Sequence, residues 1–160
     1  MGVAWETDIA VEDPRAEDVR AVLGRHLEFM HAQSPPEDVH ALDADGLVDP
    51  AVTFFSLRRD GELVALGALK RLDPRHAEVK SMHTVEAMRG KGVAAAMVRH
   101  LIAVARAGSV DRLSLETGTG PAFAPARALY ASAGFVPCGP FADYVESPYS
   151  CFMTLDLSVS

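Results

Sequence analysis

Apolar residues change their spacing along this chain, and the changes divide it into elements. Residues 7–11 form a short run that Asp13-Pro14 breaks, so a brief strand is expected there. From Ala16 the period lengthens. Val19, Val22, Leu23, Leu27 and Met30 recur at the spacing that lays one stripe along an amphipathic helix. Ser34-Pro35-Pro36 stops it. Residues 34–50 have no period and are rich in Pro and Asp, which predicts a long loop with one helical turn at 39–42; loops of this length in compact domains are often functional.

Two apolar runs, 52–57 and 62–69, flank Asp60-Gly61, a strong hairpin signal because both turn residues tolerate positive φ. A turn at Asp73-Pro74 leads to a strand over 78–85. A helix then reaches Ala107, with Val93, Met97, Leu101 and Val104 as its core stripe and Arg99, His100 and Arg106 on the wet face. A strand over 112–116 and a Thr/Gly loop over 117–121 precede a second helix at 125–132. Proline near its first turn costs nothing there, and Gly134 caps its end. Residues 135–138 and 151–157 read as closing strands.

The order is therefore β-α-ββ-β-α-β-α-β-β, without repeats or linkers. The hairpin demands antiparallel pairing, and the strand-helix-strand unit over 78–116 demands a parallel crossover. The expected fold class is α/β (α+β), with residues 1–160 as one domain: a mixed sheet of about six to seven strands flanked by helices on both faces.

Composition adds exclusions. A chain of 160 residues with 49% hydrophobic and 23% charged residues suits one core. Its net charge of -7 argues against nucleic-acid binding, which needs a basic footprint. A small anion stays open, because a local nest of N–H groups with one or two cations outweighs net charge. Cys138 and Cys151 form no CxxC pair and the histidines are scattered, so no metal site is expected and both thiols should be free. With no signal-length or membrane-spanning apolar run, the expected location is cytoplasmic, away from membranes.

The chemistry gathers at the centre. The strand Glu78-Val79-Lys80-Ser81-Met82-His83-Thr84-Val85 runs into Arg89-Gly90-Lys91-Gly92-Val93-Ala94 and then a helix. A helix start offers unpaired N–H groups and partial positive charge, glycine lets the backbone approach an anion, and Arg89 and Lys91 add mobile cations. Together these predict a diphosphate cradle. A Walker loop would need Ser or Thr where Gly92 stands. A Rossmann fingerprint would need glycine at Ala95.

The segment matches Arg/Gln-x-x-Gly-x-Gly/Ala instead. Ala126-Arg127-Ala128-Leu129-Tyr130 followed by Gly134-Phe135 matches Ala-x-x-Leu-Tyr-x-x-x-Gly-Phe. With both segments in this order and spacing, the chain resembles the GCN5-related N-acetyltransferase (GNAT) superfamily. Ser34-Pro35-Pro36, His40-Ala41-Leu42, Leu115-Glu116-Thr117-Gly118, Phe123-Ala124-Pro125-Ala126 and Ser147-Pro148-Tyr149-Ser150-Cys151-Phe152-Met153 resemble its bacterial YsnE-like subgroup.

The resemblance implies the GNAT fold and an N-acetyltransferase that carries acetyl from acetyl-CoA to the primary amine of a small molecule. It implies that Arg89, Gly90, Lys91, Gly92, Val93 and Ala94 hold the CoA pyrophosphate. It also implies that the strand at Met82, His83 and Thr84 splays from its parallel neighbour to pair with pantetheine, and that Tyr130 is the general acid beside the CoA sulfur. Many members place Asn where Phe123 stands, so the pantetheine contact of that Asn is not carried over.

By strand alternation Glu78, Lys80 and Met82 share a face and His83 turns away from it. Glu78 stands where several family members place a catalytic base. Glu116, at the C-terminal end of the next strand, is its rival. His40, Lys80 and Tyr144 are expected in the acceptor pocket. Lys80 pairs with Glu78 or, with an arginine beside it, holds a substrate carboxylate. A protein or peptide acceptor, and an acyl-CoA sensor without turnover, are the alternatives. The strand over 151–157 is the expected sheet edge, and with it a homodimer.

Overall fold

The computed structural model of the chain describes residues 5–40 and 42–158. A 3-10 turn at Trp5–Asp8 leads into β1 (Ile9–Val11), followed by α1 (Glu17–Gln33), β2 (Val52–Arg59), β3 (Glu62–Asp73) and β4 (His76–Thr84). Then come α2 (Val93–Ala107), β5 (Arg112–Gly118), α3 (Ala124–Ser132), β6 (Val136–Cys138) and β7 (Ser150–Asp156). The strands form one mixed sheet in the order β1-β2-β3-β4-β5-β7-β6, antiparallel except for the β4–β5 pair. Among the described residues no helix is long and apolar enough to cross a membrane.

Alternation along the strands feeds two apolar layers. On one face, Val19, Val22 and Leu23 of α1 pack on Phe54, Leu66 and Ala68. On the other, Val93, Met97 and Leu101 of α2 pack with Tyr130 of α3 on Phe55, Ala65, Val79 and Leu113. α2 lies so close to β3 that a Cβ at Gly67 would meet Met97 Cγ at 2.7 Å. The hairpin turn is as expected, with φ of 54° at Asp60 and 80° at Gly61.

Several expectations need correction. The first strand is shorter than 7–11, because Thr7 and Asp8 belong to the 3-10 turn that seats Trp5 in the core. The turn expected at 39–42 includes Ala41, which lies outside the described residues; the loop's turns are at Pro36–Asp38 and Gly46–Val48. His100 is half-buried, its ring edge-on to Phe55 at 4.7 Å. β7 is interior, paired to β5 on one side and β6 on the other, so the edges are β1 and β6 and the expected edge at 151–157 is overturned. Phe152 and Met153 are buried on opposite faces of β7, and the pairing of β6 along its outer side makes it an inner strand.

The correction that matters most for function is in β4. Ser81 has a φ of 57°, and the register steps from Ala68↔Lys80 to Leu66↔His83. One residue of β3, Gly67, thus faces two of β4, Ser81 and Met82, a bulge that reverses alternation beyond it. Met82 swings to the α2 face against Met97, away from Glu78 and Lys80. His83 swings to the α1 face that Glu78 and Lys80 share, against His26 of α1.

Candidate active site

β4 and β5 pair only at His76↔Arg112, Ala77↔Leu113 and Glu78↔Ser114. Beyond that point they part, and a cleft of about 610 Å³ opens between them, walled by the last turns of α1 on one side and the starts of α2 and α3 on the other. All the expected site residues except Lys91 line it.

At one end the backbone turns through Gly90 and Gly92, with φ of 77° and 81°. No atom stands within 4 Å of a Cβ built on either, so it is the left-handed backbone, not lack of room, that calls for glycine. Gly92 caps α2, and Val93 and Ala94, which carry the first N–H groups of the helix, line the cleft. Arg89 reaches back to the Thr84 carbonyl through Nε at 3.4 Å. Lys91 leaves its side chain in solvent, and its carbonyl accepts a 3.1 Å hydrogen bond from Trp5 Nε1. The Arg59 guanidinium covers the Trp5 ring at 4.0 Å.

Midway, His83 meets His26 at 5.1 Å between ring centroids. Burial, with His26 adding to it, brings the His83 imidazole down to about 4, so it is neutral near pH 7. Tyr130 lies on the inner face of α3 with Ala126 and Leu129, its ring edge-on to Phe135 at 5.8 Å. Burial, aided by the nearby Glu116 charge, pushes its phenol well up, so it keeps its proton at neutral pH. Phe123 is packed so tightly over Gly118 that no Cβ fits there, and it meets Phe29 of α1 across the cleft at 5.6 Å.

At the far end a buried triangle forms. Glu78 Oε2 accepts a short hydrogen bond from the Tyr144 hydroxyl and another from Lys80 Nζ at 3.2 Å, while Lys80 Nζ donates to Tyr144 Oη at 3.1 Å. Only 5% of the Glu78 side chain and 9% of that of Lys80 are exposed. Phe141 and Phe152 hold the Tyr144 ring, and His40 lies edge-on to it at 4.8 Å, joining loops 34–50 and 139–149. Burial lowers the His40 imidazole, and the Lys80 charge adds to the effect. Glu116 lines the cleft nearby and is half-buried. Burial pushes its carboxyl up to about 7, with the Lys80 ammonium pulling against the rise. No arginine lines this end of the cleft among the described residues.

The Acetyltransferase (GNAT) family model matches residues 17–135, which span α1 to the residue after α3 and its cap. This chain belongs to that family. It is a GNAT N-acetyltransferase. It is 46% identical over 149 residues to the uncharacterized N-acetyltransferase YsnE of Bacillus subtilis, covering 93% of this chain and 99% of YsnE. It is 44% identical over 149 residues to the uncharacterized N-acetyltransferase YedL of Escherichia coli, covering 93% of this chain and 94% of YedL. A solved Klebsiella pneumoniae structure, described as an acyl-CoA N-acyltransferase, superposes with a TM-score of 0.76 at 25% identity, over 93% of this chain and 96% of that one.

Within this GNAT cleft some contributors escaped the sequence. His26, Phe29 and Met30 line it from α1. Met30 carries the helical stripe past Leu23, where the sheet no longer lies beneath, and His26 and Phe29 flank that stripe. Trp5 gave no signal at all, since its partner is 86 positions away. Among the described residues no group of three or more His, Cys, Asp or Glu side chains gathers as a metal site, and Cys138 and Cys151 are free thiols.

Proposed function

We propose that this enzyme carries acetyl from acetyl-CoA to the primary amine of a small molecule, with Glu116 as general base and Tyr130 as general acid. The observation that carries the reading is the parting of β4 from β5 beyond Glu78, which opens a cleft that the glycine turn before α2 also lines. β4 there has no ladder partner on the β5 side, so its backbone groups at Met82, His83 and Thr84 are free to pair with the pantetheine amides and polarise the acyl carbonyl. Gly90, Gly92 and the first N–H groups of α2, with Arg89 and Lys91 beside them, suit the pyrophosphate. The cleft volume of about 610 Å³ falls within the usual range for ligand sites.

In the reaction a C–N bond forms and the thioester C–S bond breaks. The amine gives up a proton and the thiolate gains one. Glu116, raised to about 7, matches the working pH that makes a general base effective. Tyr130 keeps its proton at neutral pH and lines the same cleft, which supports it as the proton donor to the leaving thiolate. Glu78 is the less available carboxylate, because its Oε2 already accepts from Tyr144 and Lys80. Its role in this reading is to fix Tyr144 and Lys80 at the acceptor end.

The test is amine-dependent thiol release from acetyl-CoA. Glu116→Gln and Tyr130→Phe should each lower kcat by about 10² or more while leaving acetyl-CoA affinity within threefold. Full activity in Glu116→Gln would remove Glu116 as the base, and full activity in Glu78→Gln as well would remove carboxylate base catalysis altogether.

A further inference from the structure

An amino-acid acceptor carries a carboxylate one carbon from its reacting amine, and a pocket that takes it needs a cation free to meet that carboxylate. Lys80 is the one cation at the acceptor end of the cleft among the described residues, and Arg89 lies at the phosphate end. The Lys80 ammonium is already engaged, 3.2 Å from Glu78 Oε2 and 3.1 Å from Tyr144 Oη. Drawing it toward a substrate would leave a nearly buried carboxylate uncompensated, which strongly disfavours the move.

What is left over at this end is negative. Glu116 and His40 line the cleft, and the half-buried Asp38 lies two residues before His40 in loop 34–50. A substrate carboxylate would enter against both acids, whereas an ammonium is drawn toward them. The walls near these groups are the rings of His40 and Tyr144, which suit the apolar or aryl body of an amine.

We infer that the acceptor is an alkyl-, arylalkyl- or polyamine without a carboxylate beside its amino group, and that amino acids are excluded by the closed Glu78–Lys80–Tyr144 triangle together with Asp38 and Glu116. This rests on the acyl-transfer reading above.

The experiment compares matched pairs as acceptors for the full chain at saturating acetyl-CoA: tyramine with tyrosine, tryptamine with tryptophan, and agmatine with arginine. The amine of each pair that reacts should exceed its amino acid in kcat/KM by at least about tenfold. Asp38→Asn should narrow that gap by raising the rate on the amino acid. Amino acids acetylated as fast as their amines, or no turnover of any of these amines by protein that binds acetyl-CoA, would overturn the inference and leave the acyl-transfer reading standing. Failure to bind acetyl-CoA at all would bring down that reading, and this inference with it.

Discussion

Tyr144 donates a hydrogen bond from its hydroxyl to Glu78 Oε2, from a loop 66 positions further along the chain. The bond ties an irregular segment to the one strand that carries both the bulge and the cleft. Tyr144→Phe leaves Lys80 alone to satisfy Glu78. A hydrogen bond to a charged group is worth about 1.5–3 kcal/mol, so the variant should melt lower and show a raised acceptor KM. Acetyl-CoA affinity, measured calorimetrically, should not move, because Tyr144 stands at the opposite end from the glycine turn.

Glu116 links activity and stability to pH with opposite signs. As a base it must be ionised, so kcat/KM should rise with pH to a plateau above about 7, and Glu116→Gln should lose that limb. Its folded-state pKa lies above its unfolded value. Between about pH 4.5 and 7 the folded protein therefore keeps a proton that the unfolded chain has released, and its stability falls as pH rises. At pH 8 Glu116→Gln should unfold at higher denaturant than the parent, by on the order of 1–3 kcal/mol, and the advantage should vanish near pH 4. A variant that is less stable at pH 8 would show that Glu116 is not held in a costly ionised state.

Trp5 holds the Lys91 carbonyl and so sets the entry to α2. Trp5→Phe keeps the ring and removes the donor. A bond of this kind contributes about 0.5–1.5 kcal/mol, which predicts acetyl-CoA binding weaker by roughly two- to tenfold with kcat little changed. The chain has a single tryptophan, so its emission should shift as acetyl-CoA saturates the wild-type protein. No shift, and unaltered affinity in a folded Trp5→Phe protein, would separate Trp5 from the cradle.

Gly92 adopts a φ of 81°, and a side chain there is strained even in open space. Gly92→Ala should cost about 1–2 kcal/mol of stability and weaken acetyl-CoA binding more than any acceptor effect. A calorimetric series on Gly92→Ala and Tyr144→Phe should place the two losses on different ligands.

The fold was legible where local chemistry agrees with the tertiary answer. Asp60-Gly61 makes its turn, the α2 stripe from Val93 to Leu101 is buried, and Gly134 leaves α3 with a positive φ. The two family segments were legible because each is contiguous. The bulge was not. Serine has no preference for the left-handed region that Ser81 occupies, and only the offset between Leu66↔His83 and Ala68↔Lys80 reveals it. Strict alternation therefore put Met82 on the wrong face and turned His83 away from Glu78. The inner place of β7 was hidden for a similar reason. Its apolar run fits an edge or an interior strand, and the choice depends on β6 pairing outside it. Of the two acids, sequence ranked Glu78 first by position, and the closed contacts of its Oε2, with the burial that raises Glu116, shift the weight to Glu116.

The most direct measurement is calorimetric titration of the purified protein with acetyl-CoA, with ATP and NAD as controls and Gly92→Ala alongside. Saturable one-to-one binding of acetyl-CoA, absent for ATP and NAD and weakened in Gly92→Ala, is the expected result. No binding by folded protein free of co-purified CoA, or binding that Gly92→Ala leaves untouched, would contradict the assignment of the cleft between β4 and β5 as the acyl-CoA site.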